Sequence, residues 1–186
     1  TTVIYQKRLV SSIYAIQKSL ENRMRAIQND AVAEERPDDV QELIPQYSTE
    51  PETLTDAERA RVEEALETVT ITLNQSQVQE ELGQVKQLWQ QAKNIETDSK
   101  ARLLRQFVDR ILSEDPEEKI LIFTEYTDTL EYLRDEVFPN HDIAQVYGDL
   151  DQSRRREEME KFETEANLML ATDAAQEGLN LQFAHI

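Results

Sequence analysis

Apolar residues recur as Leu9, Ile13, Ile16, Leu20, Met24 and Ile27, at intervals of four, three, four, four and three. That spacing keeps them on one side of an α-helix, so the pattern predicts one long helix with a single apolar stripe, ending in the charged run before Pro37. Residues Glu34 to Thr55 hold three prolines among mixed acid and read as an exposed acidic linker. Thr55-Asp56-Ala57-Glu58 has the form of a capping box, in which the threonine hydroxyl takes a free backbone N–H and Glu58 reaches back. A second helix is predicted through Val62, Leu66 and Val69, and a third through Val78, Leu82, Val85, Leu88, Trp89 and Ala92. A fourth opens near Asp98-Ser99 and carries Leu103, Leu104, Phe107, Val108, Ile111 and Leu112. Of the three glycines only Gly83 falls in residues 1–112, which fits helix throughout.

Beyond Pro116 the period changes. Lys119–Thr124, Ile143–Tyr147 and Leu168–Thr172 are short continuous apolar runs, the form of strands buried on both faces. Between them lie two helical patterns, Asp128 to Phe138 with Leu130 and Leu133, and Gln152 to Phe162 with Met159. Strand–helix–strand–helix–strand predicts a parallel α/β sheet with right-handed crossovers. The expected organisation is an all-α helical spacer of about four helices, with residues 1–96 before an α/β domain at 97–186.

The charge changes the picture. Net charge is −18, with ten basic against seventeen acidic residues in 1–96 and ten against twenty-one in 97–186. An acidic tail would load one end, so the excess belongs to the whole surface. Such a surface repels itself in dilute buffer and is relieved by salt, which leads to the expectation of a halophilic source. Cysteine is absent, which excludes a disulfide framework and thiolate metal sites and fits a cytoplasmic location. No apolar run approaches the roughly 20 residues of a membrane helix, and no signal peptide is evident. The chain starts without Met and stops within an apparent strand at Ala184-His185-Ile186, which we take as the mark of an excised fragment.

Ligands of open parallel sheets bind beyond the carboxyl ends of the strands, and three polar loops fall there. They are Thr124-Glu125-Tyr126-Thr127, Gly148-Asp149-Leu150-Asp151-Gln152, and Thr172-Asp173 followed by Ala174-Ala175-Gln176-Glu177-Gly178-Leu179-Asn180. Gly148 and Gly178 stand where close backbone approach or a positive φ would call for glycine.

These residues carry a resemblance. Tyr147-Gly148-Asp149-Leu150-Asp151-Gln152-Ser153-Arg154-Arg155, with Phe162 seven residues on, resembles the HGDxxQxxR…F segment of superfamily 2 helicases. Ala171 to Asn180 is similar to their motif V, and Ile120 to Tyr126 resembles motif IV as Swi/Snf-type ATPases write it. Gly178-Leu179-Asn180-Leu181 follows the Swi/Snf form, whereas DEAD-box proteins usually carry Arg at the place of Glu177 and Asp at that of Asn180. Tyr147 replaces the usual His. Lys7-Arg8-Leu9-Val10-Ser11-Ser12 resembles the helical spacer of bacterial and archaeal RNA-polymerase-associated-type helicases. The resemblance implies a C-terminal RecA-like lobe of the P-loop NTPase kind, ending after motif V. Neither a GxxxxGK[ST] phosphate loop nor a DExx box occurs in the sequence.

The resemblance further implies an ATP-dependent DNA translocase or helicase, with ATP and Mg²⁺ held mostly by a missing N-terminal RecA-like lobe. Nucleic acid, and double-stranded DNA in particular, is the expected partner. Thr124, Thr127, Gly148, Gln152, Arg155 and Thr172 are the expected backbone contacts. Asp173, Gly178 and Asn180 would couple the strand to the ATP cleft. The helix starts near Thr127 and Gln152 are expected to offer free N–H groups to phosphate. No catalytic residue and no metal site is expected in this chain, nor any membrane partner. The acidity opposes DNA binding, so the chain alone should bind weakly and hydrolyse nothing. Against this stand plainer possibilities. Arg154-Arg155-Arg156 could be a solvated face, Asp149 and Asp151 turn and capping residues, and Trp89 core or lobe interface. Alternatively, residues 1–96 serve as a helical protein-interaction module, meeting a protein partner on an α/β scaffold without motor activity.

Overall fold

A computed structural model describes residues 2–28, 38–49, 54–68, 75–95 and 98–173. The chain divides into two compact units, Thr1–Glu96 and Thr97–Ile186.

The first unit is helical. Its described elements are α1 (Thr2–Ser11), α2 (Ile13–Gln28), α3 (Asp38–Thr49), α4 (Asp56–Thr68) and α5 (Gln75–Lys93). The single long helix expected from Leu9 to Ile27 is broken at Ser12. Its hydroxyl accepts the N–H of Ala15 at 3.0 Å and so caps a new helix. Leu9 is thereby left 53% exposed, while Ile16, Leu20 and Ile27 pack with Val85 and Ala92 of α5.

The acidic linker expected near 34–55 is also corrected, since Asp38–Thr49 is helix. Val40, Leu43, Ile44 and Tyr47 have the spacing of one helical stripe, which the prolines and acids obscured. Val40 is buried, and the Tyr47 hydroxyl donates to Glu63 at 2.8 Å. Glu63, 1% exposed, also accepts from Arg8 at 2.7 Å. The capping box at Thr55 forms as its spacing predicts. Thr55 N–H donates to Glu58 at 2.9 Å, and Glu58 N–H donates to the Thr55 hydroxyl at 3.2 Å.

The second unit opens with α6 (Ser99–Glu114), capped by the Asp98 carboxylate on the N–H groups of Lys100 and Ala101. Strands β1 (Ile120–Thr124), β2 (Ile143–Val146) and β3 (Leu168–Thr172) form a parallel sheet in the order β1-β3-β2. α7 (Thr127–Tyr132) and a π-helical turn at Leu133–Val137 join β1 to β2. α8 (Gln152–Thr164) joins β2 to β3. The expected uniform helix at 128–138 thus widens in its second half, where Phe138 N–H reaches back five residues to Leu133. The wider turn puts Leu133, Val137 and Phe138 all into the core.

β1 to β2 crosses the sheet one way and β2 to β3 crosses back, so two right-handed crossovers place their helices on opposite faces. The packing agrees. Leu168 and Leu170 lie with Leu130, Leu133 and Val108 on one face; Met169 and Ala171 lie with Phe162 on the other. Each of these side chains, fully buried, contributes about 1.5–3 kcal/mol if large. The amino ends of the strands are sealed. Asn167 Nδ2 donates to the carbonyls of Pro116 and Glu118, and Lys119 Nζ to that of Ala166. The loops left to meet a ligand are those at the carboxyl ends.

Candidate nucleic-acid interface

Parallel strands end on one side of a sheet, so the loops after β1, β2 and β3 share a rim. Thr124 and Thr172 are register partners at the ends of β1 and β3. Both are buried, at 9% and 0% exposure. The Thr124 hydroxyl accepts the N–H of Tyr126 at 3.4 Å, which turns the chain out of β1 toward α7. Thr127, the first residue of α7, is half-buried.

After β2 the chain turns at Gly148 and Asp149, with Leu150 N–H donating to the Tyr147 carbonyl at 3.1 Å. Gly148 is half-buried, Gln152 is exposed at the head of α8, and Arg155 is half-buried one turn on. Asp173 is exposed directly after β3. Gly178 and Asn180 lie outside the described residues. The topology therefore brings Thr124, Thr127, Gly148, Gln152, Arg155, Thr172 and Asp173 to one edge of the sheet.

One expectation at this edge is overturned. Two of the N–H groups at the start of α8 are already taken, because the Asp151 carboxylate accepts from Ser153 at 2.9 Å and Arg154 at 3.0 Å. The reason is helix capping: a carboxylate one residue before the helix takes the donors an external phosphate would need. These contacts, the Arg154 N–H foremost and the Ser153 hydroxyl next, hold the Asp151 carboxyl below its usual range. Contact at this helix start must then come from side chains. Gln152, Arg154 and Arg156 are the exposed ones.

Among the described residues no group of three or more His, Cys, Asp or Glu is placed to hold a metal ion. His141 lies with Nε2 3.9 Å from Asp109 and its ring edge-on to Phe138, a packing position away from the strand ends. No helix of the described residues is long and apolar enough to cross a membrane. Trp89 belongs to the helical unit, where its indole N–H donates to Glu21 at 3.2 Å.

The sequence pattern did not single out a set of side chains beside the rim. Gln145, in the middle of β2, has its N–H bonded to Glu158 at 2.7 Å and its side-chain oxygen to Arg134 at 3.1 Å. Lys161 donates to the Ile143 carbonyl at 2.8 Å. The available signal was a glutamine inside an otherwise apolar strand, followed by Glu-x-x-Lys on the next helix.

Residues 99–186 match the family model described as helicase conserved C-terminal domain. That match supports a helicase-superfamily C-terminal lobe over this segment. No curated protein and no solved structure matches the chain.

Proposed function

We propose that this chain carries the second RecA-like lobe of an ATP-dependent, Swi/Snf-type motor that moves along double-stranded DNA. On this reading it is similar to the RNA-polymerase-associated helicases of bacteria and archaea. Remodelling of protein–DNA complexes fits it better than strand separation. One observation carries the reading: the three motif-bearing loops leave the same end of a parallel sheet, within the segment that matches the helicase C-terminal domain.

In this reading Thr127, Gln152 and Arg155 touch the sugar–phosphate backbone, which bears no base identity and suits a motor that must run over any sequence. Buried Thr124 and Thr172 fix the height at which two of the loops depart. Asp173, Gly178 and Asn180 link the strand to the ATP cleft. ATP supplies the energy, and its phosphates and Mg²⁺ would be held by a phosphate loop and acidic box on a partner lobe. With −18 net charge, this chain would depend on that lobe, or on high salt, for its attraction to DNA.

The helical-module alternative loses its main support. Of the stripe from Leu9 to Ile27, Ile16, Leu20 and Ile27 are spent on α5, while Leu9 at its start stays 53% exposed.

The test compares the chain with the complete protein that carries it. The complete protein should hydrolyse ATP faster with double-stranded DNA, and Gln152→Ala or Arg155→Ala should remove the stimulation. The chain alone should show neither turnover nor a submicromolar Kd for DNA at physiological salt. Turnover by residues 1–186 above a contaminant control would sink the reading.

A further inference from the structure

Helix α8 has an uneven anchorage. Met159 and Phe162 are its apolar residues, both in its second half, and of these Phe162 is fully buried. Residues 152–154, 156 and 157 are exposed. Met159 packs beside Phe162 on the same cluster, but apolar burial confined to the second half of the helix is non-directional and leaves its first turn weakly fixed. Hydrogen bonds do fix it.

Three of them meet the helix or its strand at the border of the sheet. Glu158 accepts from the N–H of Gln145 at 2.7 Å, and Lys161 donates to the carbonyl of Ile143 at 2.8 Å. From the opposite face Arg134 donates to the side-chain oxygen of Gln145 at 3.1 Å. Arg134 is itself oriented by Asp135, which accepts from both Nε and Nη2. The chain of contacts runs from the helical layer on one face, around β2, to the layer on the other. It borders a shallow open groove lined by Arg134, Gln145, Tyr147, Arg154 and Glu158, among others.

We propose that Arg134, Gln145, Glu158 and Lys161 are positioning residues that set where the first turn of α8 stands, and hence where Gln152 and Arg155 meet the nucleic acid. The proposal rests on the role given to those two residues above. The lever is long. Gln152 precedes Phe162 by ten residues, about 15 Å of helix, so a tilt of about 10° about Phe162 moves Gln152 by about 2–3 Å. A hydrogen bond to phosphate does not survive that displacement.

The experiment uses the complete protein and measures ATP hydrolysis against double-stranded DNA concentration. Glu158→Ala combined with Lys161→Met should raise the half-saturating DNA concentration about tenfold while leaving the saturated rate within about twofold. Glu158→Gln keeps an acceptor oxygen for Gln145 and should behave as the parent. In the chain itself, amide exchange at Ser153–Arg156 should quicken in the double variant while Leu168–Thr172 stay protected. If the double variant loses β3 protection, Glu158→Ala alone decides. An unchanged half-saturation despite quickened exchange overturns the brace, as does a Glu158→Gln variant as weak as Glu158→Ala. Absence of DNA stimulation in the parent protein overturns the motor reading itself and the brace with it.

Discussion

Thr124 and Thr172 stand side by side as the last register pair of β1 and β3, so two of the three rim loops leave the sheet at the same level. Neither side chain is open to solvent, and the Thr124 hydroxyl is engaged by the N–H of Tyr126.

Thr124→Val keeps the shape and removes that acceptor. It should lower stability to chemical denaturant by about 1 kcal/mol. Thr124→Ser, which keeps the oxygen, should recover most of the loss.

The buried pair Arg8–Glu63 predicts a non-additive series. Their side chains are 8% and 2% exposed at 2.7 Å separation. Glu63→Leu removes the carboxylate facing Arg8 and should cost about 3 kcal/mol, whereas Arg8→Met with Glu63→Leu should cost less than the sum of the two single changes. A double-mutant cycle by urea denaturation reads the coupling directly.

Two capping carboxylates set an acid limit. The N–H of Thr55, then its hydroxyl, hold the Glu58 carboxyl below its ordinary 4.5; Asp151 is held below 3.8 by the Arg154 N–H and then Ser153. A lowered folded value means the contribution is complete above the unfolded value and lost as pH falls through the folded one. Amide protection in the first turns of α4 and α8 should therefore hold above the ordinary carboxylate range and decline as pH falls below it. Asp151→Asn should flatten that decline in α8 alone.

Salt should stabilise the protein. With 38 acidic against 20 basic residues spread over both halves, self-repulsion is relieved by screening. The midpoint of thermal unfolding should rise from dilute buffer to about 2 M KCl, where the screening length falls below about 3 Å. A midpoint indifferent to salt would remove the halophilic expectation.

Much of the second unit was legible because its signals are local and repeated. The runs 120–124, 143–146 and 168–172 are short and mainly apolar, and 168–172 is buried along its whole length as a central strand must be. Asp98 and Thr55 advertised their helix starts by type and spacing. Three features were harder. The break at Ser12 hides because Leu9 to Ile13 keeps helical spacing whether or not the chain turns between them. Asp38–Thr49 hides because Pro45 and the neighbouring acids outweigh a short stripe. The Asp151 cap was readable from the residue's type and its place just before Gln152, but the Gln145 contacts depend on which partner a polar group finds in three dimensions, and no periodicity records that.

The outer border of β2 would ordinarily be a hazard. Among the described residues β2 pairs only with β3, and a strand with one neighbour shows unpaired backbone groups that a second chain can adopt as a template, the first step toward fibrous association. Here the Gln145 amide and the Ile143 carbonyl are already taken by Glu158 and Lys161. The same two side chains thereby deny a foreign strand its first pair of bonds.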